Sequence, residues 1–126
     1  MEAARVLHFG DDTSHRLRVL RSEGYSVNSY ASLQQMISRL RTGQDVDLVC
    51  ISEEPWCTAE GAVAVARAFS RAPLVLFRAN YRSYAQRGWD LEVLPLTPPE
   101  VWLRELAELL RSHTGIEAAK LSWAAG

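Results

Sequence analysis

Asp45-Val46-Asp47-Leu48-Val49-Cys50-Ile51-Ser52-Glu53-Glu54-Pro55 reads as a buried central strand running out into an acidic loop. Leu48 to Ile51 is a short unbroken apolar run with β-branched residues. Polar residues bound it at one end and Glu53-Glu54-Pro55 at the other, the pattern of a parallel strand covered on both faces. In open α/β sheets, ligands and chemistry sit outside the carboxyl ends of the strands, so Ser52, Glu53 and Glu54 stand where a site belongs.

The flanking segments arrange themselves around this strand. Upstream, Arg5-Val6-Leu7-His8-Phe9 predicts a first strand ending at Gly10-Asp11-Asp12-Thr13, where Asp12 or Thr13 can cap the next helix. That helix is short, with Leu17 and Leu20 as its apolar stripe and His15, Arg16, Arg18 and Arg21 as its solvated face, and Gly24 ends it. Ser26 to Tyr30 alternates like an edge strand. Ser32 and Gln35 form a capping box before Leu33, Met36, Ile37 and Leu40, which share one helical face up to Gly43. Downstream, Thr58 to Arg71 predicts a small-residue helix with Ala62, Val65, Ala66 and Phe69 on its buried face. Pro73 to Phe77 is another continuous apolar strand. Asn80 to Gly88 offers one or two helical turns at most. Leu91 to Leu96 is a last strand, placed at a sheet edge by Pro95, which cannot donate a ladder hydrogen bond. Thr97-Pro98-Pro99-Glu100 opens the final helix, whose buried face is Trp102, Leu103, Leu106, Leu109 and Leu110 and which Gly115 is expected to stop. Five strands alternating with helices through short loops imply an open parallel sheet covered on both faces. The division expected is a domain over residues 1–115 and a C-terminal tail over 116–126.

The chain has 126 residues, 48% of them hydrophobic, which suits one domain with a single core. Its 14 basic and 15 acidic residues leave a formal charge of -1, giving no electrostatic case for nucleic acid or an anionic membrane. Met1-Glu2-Ala3-Ala4 lacks the basic start of a signal peptide, and no segment approaches the ~18 apolar residues of a membrane-spanning helix. Cys50 and Cys57 have no metal-ligand spacing, so free thiols in a reducing, cytoplasmic setting are expected.

Taken in order, these landmarks resemble a response-regulator receiver domain, the flavodoxin-like fold of CheY. Arg5 to Asp12 resembles the family's first strand and acidic turn. Ser22-Glu23-Gly24-Tyr25-Ser26-Val27 is similar to its approach to the second strand, Asp47 to Ile51 to its third strand, and Pro73 to Phe77 to its fourth. Leu94-Pro95-Leu96-Thr97 is similar to the stretch before its last helix. The resemblance spans residues 5 to 114 and implies a doubly wound five-stranded parallel sheet of order 2-1-3-4-5. Compared with the family, the chain is about three residues short before Gly24, near one helical turn, and about another turn short between Ala79 and Leu94. Shortened first and fourth helices are therefore expected.

The same resemblance removes the family's chemistry. A receiver takes a phosphoryl group from a phosphohistidine onto an aspartate ending the third strand, beside a divalent cation held by that aspartate and an acidic pair after the first strand. Ser52 stands at the acceptor position. A serine is a poor nucleophile without a base, and no histidine is placed by the sequence to activate it; nor does it supply the anionic oxygen that binds the cation. Arg78 replaces the hydroxyl residue ending the fourth strand, and Leu96 the lysine after the fifth. Gly10 and Asp11 fall at the acidic pair, or Asp11 and Asp12 after a one-residue shift.

Two readings of the acidic residues compete. Asp11, Asp12, Glu53 and Glu54 could gather to hold Mg²⁺ or Ca²⁺, or Asp12 caps a helix while the glutamates face water, which leaves no metal site and no cofactor. Arg78 is expected to pair with Asp11, Glu53 or Glu54, a fixed positive charge that would lock the domain in one conformation. His8, within a strand, reads as a satisfied core residue and Cys50 as packing. Tyr81, Arg82, Tyr84, Arg87 and Trp89 form a candidate partner surface, with the plainer alternative that the aromatics cover the gap left by the shortened helix. The functional expectation is a bacterial, non-enzymatic pseudo-receiver of the phosphorelay type, acting through a histidine kinase, another regulator or a second copy in a homodimer. The alternative is a small-ligand or nucleotide-binding domain using the same sheet end.

Overall fold

The computed structural model describes residues 3–12, 15–43 and 45–125, with side chains through His113. Among them the chain forms β1 (Arg5–Gly10), α1 (Arg16–Ser22), β2 (Ser26–Tyr30), α2 (Leu33–Arg41), β3 (Leu48–Ser52), α3 (Glu60–Phe69), β4 (Leu74–Phe77), β5 (Leu91–Val93) and α4 (Pro99–Ala125). Every strand pair is parallel and the sheet order is β2-β1-β3-β4-β5, so the stretch that opened the reading lies at the centre. This is the doubly wound five-stranded sheet that the sequence implied.

Successive strand residues point to opposite faces, and that parity divides the core in two. Val6, Leu48, Cys50, Val75 and Phe77 pack with Leu17, Leu20, Trp102 and Leu106 from α1 and α4. Leu7, Val49, Ile51, Leu74 and Leu76 pack with Met36, Ala62, Val63 and Ala66 from α2 and α3. Because β3 is buried on both sides, it can be a continuous apolar run. The start of α2 follows its predicted cap: Ser32 Oγ accepts from the Gln35 amide at 3.2 Å, and Gln35 Oε1 accepts from the Ala31 amide at 3.3 Å. Asp12 Oδ1 accepts from the Leu17 amide at 3.2 Å and so serves the start of α1. Thr13, the other candidate cap, lies outside the described residues.

Several local expectations are corrected. Arg16 is buried rather than solvated: its guanidinium lies 4.6 Å from the centroid of the Phe77 ring, which forms an edge-to-face pair with Trp102, centroids 5.3 Å apart. A long aliphatic stem and a flat cation let arginine enter an aromatic core, although burial lowers its pKa. On α3 the buried residues are Ala62, Val63 and Ala66, while Phe69 is exposed beneath Arg41. β5 stops at Val93, so Pro95 follows the edge strand in a turn rather than sitting within it. The last helix does not stop at Gly115 but continues to Ala125. A glycine within a helix costs about 1 kcal/mol relative to alanine, and the following Ile116-Glu117-Ala118-Ala119-Lys120 contains good helix formers and no proline. Residues 116–125, expected as a tail, therefore continue the helix. Among the described residues no helix is long and apolar enough to cross a membrane.

Candidate functional site

Ser52 and Glu53 end the central strand and, by strand parity, diverge to opposite faces of the sheet. Ser52 follows Leu48 and Cys50 toward the α1 and α4 side. There its Oγ lies 2.8 Å from His8 Nε2, and His8 Nδ1 lies 2.8 Å from Ser29 Oγ. The register makes this chain: His8 is the direct partner of Ser29 on β2, while Gly10, two residues on and on the same face as His8, is the partner of Ser52 on β3. A neutral imidazole donates from one nitrogen and accepts at the other, and a hydroxyl can serve either way, so the three groups satisfy one another. Burial, assisted by Arg21 and opposed by Asp12 and Asp11, pulls the His8 pKa from 6.5 down to about 4, so the ring is neutral at pH 7. No histidine was placed by the sequence to activate Ser52; the strand register brings His8 within hydrogen-bond distance of it. The signal lay in parity, since His8 sits two residues before the position facing Ser52. Cys50, on the same face, has its thiol pKa pushed up by burial and is inert packing.

Glu53 turns the other way and is only 2% exposed, so it does not face water as one reading of the acidic loop had it. Its amide extends the ladder to the Phe77 carbonyl at 3.0 Å. Oε1 accepts from the amides of Ala79 at 2.8 Å and Asn80 at 3.4 Å, and Oε2 accepts from the Tyr84 hydroxyl. Arg78, 8% exposed, brings Nε to 2.8 Å from Glu53 Oε2, off the N–H axis and hence as an ion pair rather than a directed hydrogen bond. Its Nη1 donates to Glu92 Oε1 at 2.6 Å, and its guanidinium lies 5.1 Å from the Tyr84 ring centroid. Burial opposes the arginine charge, but Glu92 and Glu53 outweigh it and raise the pKa. Burial beside Glu53 likewise raises that of the Tyr84 phenol, so it stays a donor. Arg78 thus chooses Glu53 among its three expected partners, with Glu92 as a second carboxylate that the sequence did not suggest.

The segment that follows has no helix. From Arg78 to Asp90 the chain is an irregular loop, the furthest form of the expected shortening, and it is sewn to α3. Tyr84 Oη accepts from the Ala59 amide at 2.8 Å, Glu60 Oε1 accepts from the Ala85 amide at 2.8 Å, and Arg67 reaches the Gly88 carbonyl and, at 2.6 Å, Asp90. Gly88 lies so close that a Cβ there would press on Val63. Of the residues expected on a partner surface, Tyr84 and Trp89 instead stack edge to face at 4.8 Å and are partly buried, covering the gap. Arg82 and Arg87 are exposed, as is Tyr81 at 72%.

Between the ends of β1 and β3 and the first turns of α2 and α3 lies a cleft of about 520 Å³ lined by Phe9, Asp11, Leu33, Ser52, Glu54 and Ala62 among others. Asp12 is turned to α1 instead. Gly10 has φ +112°, and a Cβ there would collide with the Ser52 carbonyl oxygen, so that position admits no carboxylate without moving β3. Among the described residues no three of His, Cys, Asp and Glu gather to hold a metal ion. Leu96 is 88% exposed in the turn after β5.

No model of a known protein family matches the sequence, and no curated protein matches it. Solved structures do. The N-terminal domain of a response regulator/sensory box/GGDEF protein from Carboxydothermus hydrogenoformans aligns over 88% of this chain and 97% of its own, with a TM-score of 0.72 at 15% identity. A CheY-like response-regulator receiver domain from Methanospirillum hungatei JF-1 aligns over 90% and 98%, with a TM-score of 0.69 at 15% identity. The fold is that of a response-regulator receiver domain. A structure described as an adenylate cyclase from Rhodopirellula baltica also aligns, over 98% and 99% with a TM-score of 0.73 at 10% identity. At such identities it is the receiver fold that is shared, and the chemistry must be argued from this chain's own residues.

Proposed function

We propose that this chain is a pseudo-receiver: a signalling module of the two-component type that does not carry an aspartyl phosphate and works through protein–protein interaction. The observation that carries this reading is Ser52 at the carboxyl tip of the central strand, buried and hydrogen-bonded to a neutral His8. A phosphoryl acceptor there needs an anionic oxygen and a cation beside it. Ser52 brings neither, and Gly10 leaves no room for the first member of an acidic pair. Two of the four candidate carboxylates are engaged elsewhere, Asp12 at the start of α1 and Glu53 with Arg78, Tyr84 and two amides. The remaining pair, Asp11 and Glu54, has no third His, Cys, Asp or Glu gathered with it among the described residues, which argues against a Mg²⁺ site.

The second half of the reading concerns motion. In a switching receiver the residue ending β4 moves with the phosphoryl group; here that residue is Arg78, held from two sides by Glu53 and Glu92. A buried ion pair whose partners are also hydrogen-bonded has few alternative arrangements of similar energy, so the β4–β5 loop stays in one state. Incubation with acetyl phosphate and Mg²⁺ tests the proposal: the intact mass is expected to stay unchanged, and a stoichiometric base-labile phosphoryl adduct would overturn it. The cleft of about 520 Å³ keeps a second reading open, a small-ligand or nucleotide site. A dose-dependent rise in melting temperature with a nucleotide would favour that reading.

A further inference from the structure

The cleft between the tips of β1 and β3 and the first turns of α2 and α3 differs from the Arg78–Glu53 cluster in one respect: the charged side chains that line it are all acidic. Phe9, Leu33 and Ala62 provide apolar walls, Asp11 and Glu54 are its charged lining residues, and among the described residues no Lys, Arg or His lines it. The two helices that open on it add little positive potential, since α2 has its first turn capped by Ser32 and α3 carries Glu60 in its own. The turn that joins Glu54 and Cys57, both of which line the cleft, carries Trp56, 64% exposed. That turn is fixed: Asn80 Nδ2 donates to the carbonyls of Glu54 at 2.9 Å and Cys57 at 3.0 Å, on either side of Trp56. A large aromatic displayed on a turn held from both sides loses little freedom on being covered, which is how interface anchors work.

We propose that this cleft and the Trp56 turn dock an arginine-bearing segment of a protein partner, a step that rests on reading the chain as an interaction module. The guanidinium pairs with Asp11 and Glu54, its flat face suits the Trp56 indole, and neighbouring apolar side chains lie against Phe9 and Leu33. An acidic segment is repelled by the same two carboxylates.

A blocked peptide of alternating Arg and Leu, titrated calorimetrically into the whole protein, tests the inference against a matched peptide of Glu and Leu. Expected are saturable binding of the arginine peptide alone, weakening with added salt, and a loss of about tenfold in affinity for Asp11→Asn/Glu54→Gln. Trp56→Ala is expected to weaken binding several-fold, and Glu100→Gln/Glu108→Gln, on the far helix, to leave it unchanged. Should the cleft variant fold poorly, the salt dependence and Trp56→Ala still decide. No saturable binding, equal binding of both peptides, equal weakening by the near and far substitutions, or occupation of the cleft by Mg²⁺ or a nucleotide instead would overturn the inference. The acetyl phosphate experiment fails or succeeds independently: an adduct would remove the pseudo-receiver reading, whereas absent peptide binding removes only the docking site.

Discussion

Ser52 and Glu53 are consecutive residues at the tip of one strand, and they meet opposite fates. Ser52 joins an uncharged chain through His8 to Ser29 that ties three strands together; Glu53 joins a charged cluster with Arg78, Tyr84 and Glu92 that ties β3 to β4, β5 and the loop replacing a helix. Both are hidden from water, but they depend on different conditions. The neutral chain fails when a proton is added to the imidazole; the ionic cluster fails when one charge is removed. On the pseudo-receiver reading proposed here, the tip of the central strand is taken up by two internal fastenings.

The sharpest way to break this contrast is to remove the arginine. Arg78→Met leaves the buried Glu53 carboxylate without its cation and is expected to cost ~3–5 kcal/mol in urea unfolding, whereas Arg78→Met with Glu53→Leu should recover much of the loss. A cost near zero for the single change would mean that the carboxylate reaches water and the cluster is no fastening.

Acid probes the other side. The His8 pKa is about 4 in the folded chain against 6.5 for the free group, so between those values the unfolded chain binds a proton that the folded chain refuses. This contribution to stability is complete above pH 6.5 and is lost as the pH falls toward about 4, by up to ~3 kcal/mol. Thermal melts across that window should show the decline, and His8→Gln should flatten it; a wild type insensitive to pH there would contradict the buried neutral chain.

Smaller changes sharpen the comparison. Ser52→Ala leaves a His8 nitrogen unpaired and is expected to cost ~1–3 kcal/mol; Tyr84→Phe removes one hydroxyl from a carboxylate that keeps its other partners and should cost toward the lower end, ~1–2 kcal/mol, both by urea titration. Leu96→Lys, at an exposed turn, should change stability by no more than ~0.5 kcal/mol. A larger effect there would place Leu96 in a contact that the fold does not show.

Much of the architecture was legible because it follows from local pattern. The apolar run of β3, the capping box of α2 and the edge character of β2 each depend on a few neighbouring residues. That Ser52 closes the central strand was legible too, since it is a matter of counting along the apolar run. What stayed hidden depends on register between distant strands. His8 meets Ser52 because β1 and β3 pair with Gly10 opposite Ser52, and Arg78 finds Glu92 because β5 lies beside β4. Burial of Arg16 and Glu53 was invisible for another reason: charged residues are read as solvated unless a partner or an aromatic face is known. The missing helix was foreseen as a shortage of residues, but which side chains would fill its place depended on the course of a loop.

One experiment bears most directly on the claim that the phosphotransfer pocket has been replaced by fastenings: amide NMR spectra of the protein before and after acetyl phosphate and Mg²⁺. The expected result is superimposable signals at Ser52, Ala79 and Tyr84 and no protein-bound phosphorus resonance. Movement of those signals together, with a base-labile phosphorus resonance, would contradict it.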